Sequence, residues 1–172
     1  MKPSVTDTLC TKCGLCCDGS LFADVELVGS DEASGLEVIG LDIEDTDDDH
    51  GGLLLLPCRA LKGTLCSIYP HRPECCRTFE CRLLQQVRRG EVDINRAQER
   101  VADALQRIEH VKRLVVMLGQ TDERLTLKER CLEALALSEE VDADPETDRK
   151  RDELEAAMTS VESFVGKTFL GD

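Results

Sequence analysis

The sequence predicts an α+β fold: a small cysteine-rich metal-binding module with short strands, followed by a mostly helical C-terminal half. Three observations predict it. Nine of the ten cysteines fall in two dense groups in the first half of the chain, at positions 10–17 and 58–81. The same half carries short apolar runs bounded by Gly, Asp and Pro, which is strand-like punctuation. In the second half the apolar residues change to a helical period. The expected division is 1–90 for the cysteine module and 91–172 for the helical region.

Residues 1–20 read as loop, with Gly14 and Gly19 breaking the thiol run. Residues 22–28 alternate like a half-buried strand, and 36–39 and 53–56 are two further strand candidates. Between these last two lies an acidic loop, 42–51, in which Asp45, Asp47 and Asp49 alternate as in a calcium loop. The sixth position of that pattern is His50 instead of Gly and the twelfth is Leu56 instead of Glu, so a solvated loop is expected. Pro73 suits a first helical turn and Gly90 a stop, which predicts one helix over much of 74–89. Its N-terminal end carries Cys75 and Cys76, where free backbone N–H groups and partial positive charge favour thiolate.

Beyond that, Ile94, Ala97, Val101, Ala104, Ile108, Val111, Val115 and Leu118 form an unbroken heptad stripe, widened by Leu105 and Leu114. The stripe predicts a long helix over about 93–118, ended by Gly119. Thr126-Leu-Lys-Glu129 has the form of a capping box and opens a second helix, about 126–138. A third, about 145–165, starts after Asp144-Pro145, buries Leu154, Met158, Val161 and Val165, and stops at Gly166. The stripe suits either dimerisation through residues 94–118 or antiparallel packing against the two following helices. Intramolecular packing is the preferred reading, because those two helices need a partner.

Composition narrows the function classes. Hydrophobic residues make up 41% of the chain, but aromatics only 3%, and Trp is absent. The core must come from Leu, Val, Ile and Ala, and bound metal can add folding free energy. The net charge is −14 and no Lys/Arg block forms an obvious basic face, which argues against nucleic acid and against an anionic membrane surface as partners. The N-terminus lacks an apolar stretch of signal-peptide length, and the longest aliphatic run, Leu53–Leu56, is far too short for a membrane span. A cytoplasmic protein is expected, with reduced thiols, so the clustered cysteines read as metal or iron–sulfur ligands and not as disulfides.

Cys10, Cys13 and Cys16 form a C-x-x-C-x-x-C run, whose two-residue gaps let thiolates converge on one metal or cluster. Cys17 adjoins Cys16, and neighbouring side chains diverge, so Cys17 is expected to face a second site or to bridge. The same holds for Cys75-Cys76, where one of the pair is a spare. Eight thiolates then fill two four-thiolate zinc sites or two four-iron clusters equally well. Cys131 stands alone and reads as a small buried hydrophobe. Of the three histidines, only His71 lies within a cysteine-rich stretch; it reads as a helix-start or surface residue, as does His110 on an exposed heptad position. No nucleophilic Ser/His/Asp or Cys/His arrangement and no phosphate-binding Gly-rich motif is present, so an enzyme is not expected.

Taken together, Cys10-x-x-Cys13-Gly-x-Cys16-Cys17 and Pro57-Cys58-x-x-Leu61-x-Gly63-x-x-Cys66-x-Ile68-Tyr69-x-x-Arg72-Pro73-x-x-Cys76-Arg77-x-Phe79-x-Cys81 resemble the YkgJ-type cysteine-cluster proteins. That family, with many bacterial members, is described as zinc- or iron-chelating or as containing an iron–sulfur cluster. The resemblance covers roughly residues 9–82. It implies Cys10, Cys13, Cys16, Cys17, Cys58, Cys66, Cys76 and Cys81 as metal ligands, with Cys75 extra to the pattern. It also implies that Tyr69, Arg72, Arg77 and Phe79 pack around the centre, an Arg offsetting thiolate charge. A similar cysteine signature occurs in flagellin lysine methylases, but this chain is shorter and shows no nucleoside-binding fingerprint, so methyl transfer is not carried over. The function expected is a cytoplasmic metal-binding protein holding iron–sulfur or zinc, an accessory redox or protein-modification factor with a protein partner. The alternative is a structural zinc module supporting a helical interaction surface.

Overall fold

The computed structural model describes residues 4–46, 51–140 and 144–171. The chain divides into two units, Met1–Glu80 and Cys81–Asp172. The acidic-loop residues Asp47, Asp49 and His50 lie outside the described residues.

The first unit opens on a helix, α1 (Val5–Cys13), where the sequence suggests loop. A capping box explains the difference. Ser4 Oγ accepts from the Asp7 N–H at 3.0 Å, and Asp7 Oδ2 accepts from the Ser4 N–H at 3.2 Å. Two orphan donors of the first turn are thereby satisfied, enough to hold a short helix whose Leu9 is buried. Next come β1 (Asp24–Glu26), α2 (Ser30–Val38), β2 (Ile43–Glu44), β3 (Leu53–Leu55), β4 (Leu61–Lys62) and β5 (Leu65–Cys66). A 3-10 turn, Tyr69–His71, leads to α3 (Glu74–Thr78).

Strand β3 is central, antiparallel to β1 on one side and β2 on the other, with Leu54 opposite both Val25 and Ile43. Strands β4 and β5 form a separate hairpin. Leu54 sits in a small core with Leu27, Ala33, Leu36, Leu41 and Ala60. The expected strand at 36–39 is a helix instead. Ala33 and Leu36, three apart, share the buried face of α2, while Val38 and Ile39 are 87% and 53% exposed. The β-branched pair that suggested a strand therefore packs against nothing that a strand would need.

The second unit is helical: α4 (Arg82–Arg88), α5 (Ile94–Met117), α6 (Leu127–Glu140) and α7 (Pro145–Val165), closed by a π-helical turn, Gly166–Leu170. The single helix expected over 74–89 is two helices. Phe79 (φ −63°, ψ 128°) and Cys81 (φ −64°, ψ 158°) are extended, so α3 ends and α4 begins anew.

Asp93 caps α5, its Oδ1 accepting from the Asn95 and Arg96 N–H groups at 3.0 and 3.1 Å. The heptad residues Ala97, Val101, Ala104, Ile108, Val111, Val115 and Leu118 are all buried, and α5 packs on both α6 and α7 of the same chain. Thr126 opens α6 as a capping box, its hydroxyl accepting from the Glu129 N–H while the Glu129 carboxylate accepts from the Thr126 N–H. The last α-helix ends at Val165, as expected, but Gly166 does not end the helical path. It stays right-handed (φ −52°) and buried, and the chain widens into the π turn that carries Phe169 to 2% exposure before Gly171 (φ 96°) ends it. Among the described residues, no helix is long and apolar enough to cross a membrane.

Candidate metal centre

Cys10 and Cys13 lie in the last turn of α1, three residues apart and so on one face. Gly14 then turns the chain back. Its φ is +72°, and a Cβ there would come within 3.3 Å of the Thr64 Cα, so glycine is required twice over. The Gly14 carbonyl accepts from the N–H groups of Cys17 (2.9 Å) and Asp18 (3.1 Å), while Leu15, fully buried, anchors the turn. Thr64 Oγ1 donates to the Thr11 carbonyl at 2.7 Å, tying α1 to the β4–β5 hairpin. The Cys58 N–H donates to the Cys17 carbonyl at 2.8 Å, which joins the two cysteine groups directly through backbone.

Cys58 opens the tight turn into β4, where the Ala60 and Leu61 N–H groups donate to its sulfur and favour thiolate. Cys66 ends β5 opposite Leu61. Cys75 and Cys76 occupy the first turn of α3, whose N-terminus receives no cap from its own Pro73. Glu32 of α2 serves instead: its carboxylate accepts from the Glu74 N–H at 2.8 Å and the Val28 N–H at 3.0 Å. Cys58, Cys66 and Cys75 are half-buried against the apolar core of the unit.

The electrostatics single out four thiols. Burial pushes Cys17 up to about 12, helped by repulsion from Cys58, Cys66 and Asp18 and opposed by Arg72. Cys76 is raised further, by burial first and then by Cys75, Cys17 and Cys58. Burial also raises Cys58, with Cys66 and Asp42 adding to it. Cys75 is raised by burial and by Glu32, and charge thus links Cys17 with Cys58 and Cys66, and Cys76 with Cys75, Cys17 and Cys58. Burial and like charge favour the thiol form of Cys17, Cys58 and Cys76, and positive charge among them would oppose that repulsion.

The other residues fall into distinct places. Tyr69 Oη donates to Asp7 Oδ1 at 3.3 Å, and Cys10 is among the groups whose charge is felt at the phenol. The Arg72 guanidinium lies 3.7 Å over the Tyr69 ring, with Nε donating to the Tyr69 carbonyl (3.1 Å) and Nη1 to the Cys76 carbonyl (3.4 Å). Arg72 thus locks the 3-10 turn to α3 while lending positive charge to Cys17. Arg77 is exposed, and Phe79, 43% exposed, packs edge-on against Phe22 at 5.3 Å. Cys81 belongs to the second unit, where its sulfur accepts from the Leu84 N–H at 3.5 Å and caps α4. Cys131 is 1% exposed in α6, its thiol pushed up to about 11 by burial. His71 is exposed, and His110 Nε2 stands 3.3 Å from Glu153 Oε1.

None of the ten cysteines is in a disulfide. Among the described residues, no three His, Cys, Asp or Glu side chains are gathered tightly enough to hold a metal ion as they stand. The donor set nevertheless suits one: soft sulfur ligands on two backbone-linked loops, N–H groups directed at sulfur, and a guanidinium nearby. The Glu32 cap and the Gly14–Thr64 contact are positioning features that sequence reading missed, since both partners are distant along the chain. The Ala60 and Leu61 N–H donors were equally hidden, because main-chain groups leave no mark in side-chain identity.

A family model described as "CxxCxxCC: Putative zinc- or iron-chelating domain" matches residues 9–100. No curated protein and no solved structure matches the chain.

Proposed function

The chain belongs to the CxxCxxCC family of zinc- or iron-chelating domains, and on that premise we propose that its first-half thiolates hold an iron–sulfur cluster or zinc. The ligands proposed are Cys10, Cys13, Cys16, Cys17, Cys58, Cys66, Cys76 and Cys81. One observation supports this most: the Cys58 N–H donates to the Cys17 carbonyl at 2.8 Å, so backbone holds the two cysteine groups side by side. Protein would contribute soft ligands, partial desolvation, N–H donors to sulfur and the Arg72 charge. A bound cluster would supply one-electron chemistry, which fits an accessory redox or protein-modification factor acting with a protein partner in the reducing cytoplasm.

A second reading keeps the metal structural. The main apolar cluster of the first unit has six buried residues, with the half-buried Cys58, Cys66 and Cys75 packed against it, and a small core of that kind gains from a closed four-thiolate zinc site. The function would then reside in the helical surface.

Purification without oxygen separates the two. Brown protein that bleaches with dithionite supports the cluster; colourless protein with stoichiometric zinc supports the structural site. Cys17→Ser, Cys58→Ser and Cys76→Ser are each expected to lose metal, and Cys131→Ser to keep it. Protein free of both metals, or equal loss in all four variants, would refute the assignment.

A further inference from the structure

The second unit contains a cleft of about 570 Å³ with a chemistry opposite to that of the chain. It is lined by Gln86 of α4, Arg100 and Arg107 of α5, Ser160, Ser163 and Phe164 of α7, and Lys167 and Thr168 of the π turn. Three cations and three hydroxyls face one space, and none of the lining residues is a carboxylate. In a protein of net charge −14, a lining with three cations and no carboxylate marks where an anion would be held.

The side chains are set in place. Arg100 Nη1 donates to Gln86 Oε1 at 3.2 Å. Arg107 donates through Nη1 to Ser160 Oγ at 2.8 Å and through Nε and Nη2 to the two Asp103 carboxylate oxygens at 2.9 and 3.4 Å, and its guanidinium lies 4.7 Å over the Phe164 ring. Asp103 neutralises part of the Arg107 charge and fixes its plane, leaving Arg100 and Lys167 as the less compensated cations. Arg100 and Arg107 are seven residues apart, two helical turns, so α5 presents both on one face. The π turn shifts the register of the last helix where Lys167 and Thr168 join the wall; π insertions of this kind recur at functional sites.

We propose that this cleft binds a small organic phosphate. Arginine forks match the tetrahedral oxygens of a phosphoryl group, Lys adds a point charge, and Ser and Thr hydroxyls donate to the remaining lone pairs. The volume lies within the roughly 300–1,000 Å³ of small-molecule sites. The site is built wholly from the second unit and is independent of the metal reading.

Titration of the full chain by calorimetry, with inorganic phosphate and with glycerol phosphate at constant ionic strength, tests it. Saturable one-to-one binding of glycerol phosphate is expected, tighter than acetate or chloride. Arg100→Gln and Lys167→Gln should each weaken it about tenfold. Arg107→Lys, which keeps the charge but loses the bidentate hold on Asp103 and the bond that places Ser160, should weaken it too. Lys128→Gln, an exposed cation on α6 outside the cleft, should leave it unchanged. Circular dichroism of each variant confirms that the helices are retained. Absence of saturable binding, binding equal to that of acetate, or equal loss in Lys128→Gln would overturn the proposal. A 5′-phosphorylated oligonucleotide that bound far more tightly than glycerol phosphate would also overturn it, in favour of a nucleic-acid surface.

Discussion

The two units solve the same problem, a stable fold without tryptophan and with few aromatics, in different ways. The second unit stacks α5, α6 and α7 along a continuous apolar stripe, with Ala97, Ala104, Ala134 and Leu154 wholly buried. Its helices are capped by their own neighbours in sequence. The first unit has strands of two or three residues around a small leucine core; α1 has its own Ser4–Asp7 box, but α3 takes its cap from distant Glu32 and α1 is tied to the hairpin by Thr64. Regular secondary structure can carry the second unit alone. The first holds thiols raised by burial and then by one another's charge, and on the proposed reading it gains stability from a cation. The difference teaches where stability is intrinsic and where it is tied to a ligand.

Metal removal should break the comparison most strongly. Thiolate zinc sites contribute on the order of 10–16 kcal/mol of apparent binding free energy in small domains. Exhaustive chelation is therefore expected to abolish amide-exchange protection at Leu54 and Leu27 while leaving it at Ile108 and Val111. Equal protection loss in both units would show that they are not independent in this way. The same chemistry predicts proton release. Thiols held above their usual range must be deprotonated to ligate, so affinity should rise with pH through neutrality and fall away in acid. Calorimetry of zinc uptake in buffers of different ionisation heat should find about two or more protons released per metal.

A reverse perturbation comes next in size. Leu154→Ala removes a fully buried side chain from α7 and should destabilise the second unit by roughly 2–5 kcal/mol. Its helical melting transition should drop, with metal content unchanged.

Glu32→Ala strips α3 of its borrowed cap. It should cost the first unit about 1–2 kcal/mol and appear as faster metal loss to a competing chelator, with no change in melting of the second. Smallest is Thr126→Ala, which removes the hydroxyl half of the α6 box for roughly 1 kcal/mol, visible only in the second unit's transition.

Much of the second unit was legible because its signals are local. The 3-4 spacing along α5, the Thr126–Glu129 box and the Asp144-Pro145 start all act within a few residues. The π turn was not, since Gly166 reads as a stop and the pull of Phe169 into the core is tertiary. In the first unit the cysteines were legible as a set, but their support was not. The Ser4–Asp7 box of α1 is written in the sequence, yet the thiols and glycines around it suggested loop. Ala33 and Leu36 carried the true period of α2, and Val38 and Ile39 obscured it. Nothing between Glu74 and Arg89 announces a break. Phe79 leaves the helix to pack on Phe22, a contact no local rule predicts. The cationic cleft had one faint signal, Arg100 and Arg107 a heptad apart, and needed α4 and the π turn to become a site.

X-ray absorption at the metal edge of the intact, anaerobically purified protein tests the central claim most directly. A metal held by these thiolates should show a first shell dominated by sulfur, at about 2.3 Å for zinc. A first shell made only of nitrogen or oxygen, near 2.0–2.1 Å, would contradict it.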